Sequence, residues 1–229
     1  MQFSVLAIGI IVMQSVIVQF DTLGGEMVSN AAQNGFGAAN KLNNLLMTPL
    51  NGLGAAMTSF TAQNLGAGDH ARIRKGTVQA LIIVWTMCLI SIAAGLLLSR
   101  GGGYLYIFLS PDKVTAETMS YGNTYLYVDL SLYLFLGFIF VVRNCVQGIG
   151  KPQFVLGAGA AELAARVSVC LLLPPLIAGG AVNSDAPRAA VYALCFADPF
   201  AWMAADAVLL VPFLRNIMKM DYRYLKGTM

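Results

Sequence analysis

Six long stretches poor in charge decide in which solvent this chain can fold. They lie at about residues 3–20, 36–65, 78–98, 121–142, 154–177 and 191–213. A hydrocarbon core about 30 Å thick takes about 20 helical residues to cross, so each stretch is long enough for one passage. The second is the least clean. Its apolar part runs from Leu45 to Ala62, behind the polar Asn40-Lys41-Leu42-Asn43-Asn44. Composition agrees: hydrophobic residues make up 58% of the 229 positions, charged residues 11%, and mean hydropathy is +0.70. Soluble domains carry about 25% charged residues, and so few charges cannot cover a water-facing surface of this size. In lipid a chain must satisfy its own backbone hydrogen bonds, which favours helices. The ~10-residue alternation of a membrane barrel is absent. The expectation is an all-α integral membrane protein, one bundle of six transmembrane helices over residues 1–229.

Charge placement gives an independent test of that count. Arg72, Arg74 and Lys75 follow the second span, Arg143 and Lys151 the fourth, and Arg215, Lys219, Arg223 and Lys226 the sixth. The opposite side holds Arg100, Lys113 and Arg188, while Lys41 and Arg166 fall within spans. Lys and Arg are enriched in short cytoplasmic loops. The larger set therefore faces the cytoplasm, and an even number of spans puts both termini there. The expected location is the plasma (inner) membrane. Basic residues sit in short loops rather than along a stripe, which argues against nucleic acid as a partner. Met1–Phe20 lacks a basic start and a small-residue cleavage site, so it reads as a retained span. Cys88, Cys145, Cys170 and Cys195 stand singly in apolar segments and read as small buried hydrophobes. No metal or organic cofactor is expected.

Local motifs then carry a resemblance. Gly35-Phe36-Gly37-Ala38-Ala39-Asn40-Lys41-Leu42, Pro49-Leu50-Asn51-Gly52-Leu53-Gly54-Ala55-Ala56, Gln63-Asn64-Leu65-Gly66-Ala67-Gly68-Asp69 and Arg72-Ile73-Arg74-Lys75-Gly76 follow one another. Together they resemble the eighth helix and following cytoplasmic loop of the MATE (multidrug and toxic compound extrusion) family. Arg143-Asn144-Cys145-Val146-Gln147-Gly148-Ile149-Gly150-Lys151-Pro152 is similar to that family's tenth-helix exit, and Ala201-Trp202-Met203-Ala204-Ala205-Asp206 to its last helix in bacterial members. The resemblance implies one six-helix lobe of a twelve-helix transporter, the second lobe. It further implies export of amphipathic or cationic drugs from a cavity between lobes, driven by inward Na⁺ or H⁺. A lone lobe cannot enclose that cavity, so a missing N-terminal lobe or a second copy is implied as partner besides membrane lipid. Met1 falls where the lobe's first helix begins, which favours a fragment of a longer gene.

Acidic residues within spans are the candidates for coupling. A charge at the bilayer centre costs about 2.5–3.5 kcal/mol on insertion scales, so such groups should face a bundle interior or a wet cavity. Glu162, Asp206 and Asp129 are the candidates, with Arg166 as charge partner. Glu162 and Arg166 are four apart and share a helical face. A structural ion pair that ties the fifth span to the sixth through Asp206 is the alternative. Asp129 lies beside Tyr125, Tyr127 and Tyr133, where it reads as an interfacial acid or a cation contact. Asp198 precedes Pro199 and reads as serving a helix bend. Some family branches hold a cation with a glutamate in the lobe's first helix and an aspartate in its fourth. By approximate register Gly9 and Leu136 occupy those places here, so that site does not transfer. Gln14 and Gln19 are the deep polar groups of the first span. Gln14, Asn51, Tyr133 and Asn144 are the candidates for lining the cavity.

Other functions remain to be weighed. His70, in Gly-Ala-Gly-Asp-His, reads as a solvated loop residue, and Gly66, Gly68 and Asp69 as a helix stop followed by an N-cap. Gly148-Ile149-Gly150-Lys151-Pro152 lacks Walker A spacing and the Ser/Thr after lysine. A membrane-embedded enzyme would need a nucleophile and a base in reach of each other. The chain has no G-x-S-x-G and no H-E-x-x-H, so no enzyme is expected. A non-transporting fragment or an assembly subunit of a split transporter is the main alternative to antiport.

Overall fold

A computed structural model describes residues 2–219, with side chains from Ala7 onward. The basic residues Arg223 and Lys226 used in the charge count lie outside the described residues. Nine α-helices carry the described fold, in the order α1 (Gln2–Gln19), α2 (Ala31–Gly66), α3 (His70–Ser99), α4 (Leu105–Phe108), α5 (Ala116–Ser131), α6 (Tyr133–Gly148), α7 (Pro152–Ala178), α8 (Arg188–Cys195) and α9 (Ala197–Pro212). A hairpin of two-residue strands, Thr22–Leu23 and Glu26–Met27, joins α1 to α2. An all-α membrane bundle is what the sequence leads to. His70–Gly102, Pro152–Ala178 and Arg188–Met218 are each long and apolar enough to cross a membrane, and α5 with α6 makes a fourth crossing if the bent pair is one span. Length and hydropathy thus mark up to four crossings among the described residues, where the sequence pattern predicts six. The apolar part of α1, Ala7–Gln19, is short, and α2 is diluted by Asn34, Asn40, Asn43, Asn44 and Asn51.

The outer surface is that of a body in oil. Ile82, Leu89, Ile90 and Leu97 on α3 are exposed, as are Leu172 and Leu176 on α7. Inside, small residues set how closely helices approach. A Cβ on Gly35 of α2 would collide with the Thr118 carbonyl oxygen and sit 2.9 Å from the Gly122 nitrogen of α5. Backbone, not a flexible side chain, lies in the way. Gly35→Val should therefore push α2 off α5 and cost about 1–3 kcal/mol, the usual penalty of overpacking. Thermal unfolding in detergent checks this, with Gly37→Val, which meets open space, as the near-neutral control.

Breaks in the helices have local causes. The α2 to α3 turn follows the expected stop: Gly68 has φ +72°, and the Asp69 side chain accepts the Arg72 N–H at 2.9 Å. His70 is a correction. It opens α3 and is buried, because the helix starts at this residue and carries its side chain inward, away from the solvated loop expected for it. Pro49 and the Pro174–Pro175 pair stay inside continuous helices. Pro199 does break its span: a proline ring clashes with the carbonyl four residues back, here Cys195, where α8 ends. The fourth expected span is broken without proline. α5 and α6 meet at Leu132 with a 57° bend. There the Ser131 hydroxyl donates to the Val128 carbonyl at 2.7 Å, a side-chain-to-backbone bond of the kind that bends helices.

Candidate functional site

Four carboxylates and two guanidiniums meet where α5, α6, α7 and α9 pack. Arg166 on α7 is the hub. Its Nε donates to Asp198 Oδ1 on α9 at 2.8 Å, and its Nη2 to Glu162 Oε1 at 3.4 Å. Glu162 accepts at its other oxygen from Arg143 Nη2 on α6 at 2.7 Å. Asp198 accepts at its other oxygen from the Tyr125 hydroxyl on α5 at 2.9 Å. The result is a continuous ladder, Arg143–Glu162–Arg166–Asp198–Tyr125, and Glu162 and Arg166 are both buried.

Two sequence-based assignments are corrected here. Arg143, counted with a cytoplasmic loop, is inside α6 and paired with Glu162, because the helix runs on to Gly148. The tie from Arg166 to the last span runs through Asp198, not Asp206. Asp198 stands in the first turn of α9, just after the break that Pro199 imposes, and that placement turns its carboxylate toward α7. Asp206 lies within electrostatic reach of Arg143 and Glu162. It makes no ion pair among the described residues, and its Oδ1 lacks a hydrogen-bond partner.

Asp129 forms a second polar point, one turn before the α5–α6 bend. It is fully buried in the bundle, where α5 packs against α2. Asn43 Nδ2 donates to Asp129 Oδ2 at 2.7 Å. Asn43 Oδ1 is buried without a hydrogen-bond partner, and so is Asp129 Oδ1, beside which stands the Tyr125 hydroxyl with its proton directed to Asp198. Tyr133, beyond the bend, donates its hydroxyl to the Asn43 carbonyl at 3.3 Å.

A cavity of about 690 Å³ opens between α1, α2, α6, α7 and α9. Asn51, Asn144, Glu162 and Arg166 are on its wall, whereas Tyr133, Gln14, Asp129 and Asp206 are not. Gln14 is exposed on the outside of α1. Leu136 lines the cavity. Gly9, which stands where some branches have a glutamate, lies against Arg166: a Cβ there would be 3.0 Å from Arg166 Cδ. The space such a glutamate would fill is taken by an arginine. Sequence reasoning missed Arg143 and Asn43 as polar partners. Their signal was faint, since each reads as an ordinary helix-end or helix-face residue.

An apolar helical exterior around a cavity whose wall carries paired carboxylates and guanidiniums marks a multi-pass membrane protein. The MatE family model matches residues 7–172, well over half of the chain. The chain belongs to the MatE family, whose members are transporters, generally of drugs and toxins, and not enzymes. Asp198 and Asp206 lie beyond the matched segment. Neither curated proteins nor solved structures gave a match.

Proposed function

We propose that this chain is a six-span lobe of a cation-coupled antiporter that exports amphipathic or cationic drugs, with Na⁺ or H⁺ as the coupling ion. The observation that carries the reading is an imbalance of charge. Four carboxylates share two guanidiniums, and the two left over, Asp129 and Asp206, each keep one oxygen without a hydrogen bond. Buried charge without a partner is costly in lipid, so these oxygens suit an exchangeable proton or Na⁺. Glu162 joins them only if Arg143 and Arg166 both swing away, the two guanidiniums being the internal cations that compete for that carboxylate. A second lobe or a second copy of the chain closes the cavity, in the plasma (inner) membrane with both termini in the cytoplasm.

Transport in vesicles tests this. With the partner lobe or as a dimer, the protein should drive ethidium efflux under an imposed H⁺ or Na⁺ gradient. Dissipating that gradient with an ionophore should return efflux to the rate of protein-free vesicles. Efflux that continues unchanged without any gradient would overturn coupling.

A further inference from the structure

A break in a membrane helix raises a question of donors. Lipid holds no water to serve a carbonyl that tilts out of the helical ladder, so neighbouring side chains must do it. At the α5–α6 break the donors come from α3. Trp85 Nε1 donates to the Leu134 carbonyl at 3.1 Å, and the Cys88 thiol to the Tyr133 carbonyl at 3.4 Å. Both carbonyls belong to the first turn of α6, directly past the 57° bend. A side chain that inserts at the ladder in this way sets a kink.

α3 itself contains no proline and runs unbroken from His70 to Ser99. One more step along the same side, at three-residue spacing, Ser91 Oγ donates to the Leu46 carbonyl of α2 at 3.3 Å. The carbonyl next to it, on Leu45, is the one that Pro49 has no N–H to serve. One straight helix thus brings donors to the weak points of two neighbours. Glycines let it come close enough. A Cβ on Gly137 of α6 would be 2.7 Å from Cys88 Sγ and 3.5 Å from Trp85 Cδ1. A Cβ on Gly95 of α3 would be 2.7 Å from Leu130 Cδ1, just before the break, and 3.2 Å from Leu46 Cδ1.

We propose that α3 is a splint for this break. Trp85 and Cys88 are positioning residues that fix the setting of α6 against α5, and Ser91 steadies α2 beside Pro49. The lever on α6 is long. Arg143 stands 11 positions past Leu132. That is about 16 Å along a helix, so a change of about 10° in the bend moves it by about 3 Å. Such a shift is as large as its 2.7 Å bond to Glu162. The splint therefore keeps Arg143 on that carboxylate, whichever solute or ion the protein moves.

Hydrogen–deuterium exchange of the full chain in detergent tests this, since helix amides exchange through local opening. Trp85→Phe keeps a ring and removes the N–H, while Cys88→Ala removes the thiol. Each should speed exchange of the amides at 132–138 about three- to tenfold, the worth of one hydrogen bond, and the double variant about ten- to hundredfold. Cys88→Ser, which keeps a donor, should exchange at about the native rate. Ser91→Ala should act at 46–52 of α2 and leave 132–138 alone. The amides of α7 should be unchanged throughout. Native exchange at 132–138 in the double variant overturns the splint. So does a rise that α7 shares equally, which marks a loss of overall stability rather than of one support. Cys88→Ser exchanging as fast as Cys88→Ala overturns the thiol's part as a donor.

Discussion

Arg166→Met should destabilise this protein by about 3–5 kcal/mol, the cost of breaking a buried ion pair from one side. Arg166 is 5% exposed, and its guanidinium bridges two carboxylates on different helices. Its removal does not strike them equally. Glu162 keeps its 2.7 Å bond from Arg143, whereas Asp198 keeps only the Tyr125 hydroxyl. Most of the loss therefore belongs to Asp198, stranded without a cation at the start of α9. That asymmetry makes the claim testable beyond a lowered melting point. The double variant Arg166→Met with Asp198→Asn should recover most of the lost stability, and Arg166→Met with Glu162→Gln much less. Chemical or thermal unfolding in detergent measures all three. Equal rescue by the two partners would mean that the ladder is not organised as its distances indicate.

The α-helical membrane fold was legible because lipid removes most alternatives: apolar length and few charges leave little besides helices. The Gly68–Asp69 stop was legible too, since its signal is local. Polar partners across helices were not. Glu162 and Arg166 were visible as a pair through their four-residue spacing, but Asp198 is 32 positions from Arg166 and its pairing depends on how α9 turns after Phe196. Arg143 was misplaced for a physical reason. An arginine near the end of an apolar run reads as a cytoplasmic anchor, and only the packing of α6 against α7 shows that it is occupied by Glu162. The bend at Leu132 had no proline to announce it. Asp21 gives no local signal either, yet its carboxylate accepts the N–H groups of Ala32 and Gln33 at 3.0 and 2.9 Å. It thus stands at the positive end of α2.

Asp129→Asn should abolish gradient-driven transport and leave the fold nearly untouched. The substitution keeps the shape of the side chain and removes only its capacity for charge. Asn43 faces it with both an amide and an unpartnered oxygen. An asparagine at 129 can accept from Asn43 Nδ2 and donate to Asn43 Oδ1, so the pair becomes fully satisfied where the native one leaves two oxygens bare. Stability should hold or rise slightly, by about 0.5–1.5 kcal/mol for a hydrogen bond gained. A carboxamide, however, neither takes up a proton nor attracts Na⁺. The site lies one turn from a break between two helices, the setting in which transporters join ion binding to backbone movement. Substrate-for-substrate exchange, which needs no net ion movement, should survive in the variant. Uptake driven by an H⁺ or Na⁺ gradient should fall to background. Asp206→Asn, remote from the bend, provides the comparison: if it alone stops coupling while Asp129→Asn transports normally, the coupling ion sits at α9 and not at the α5–α6 break.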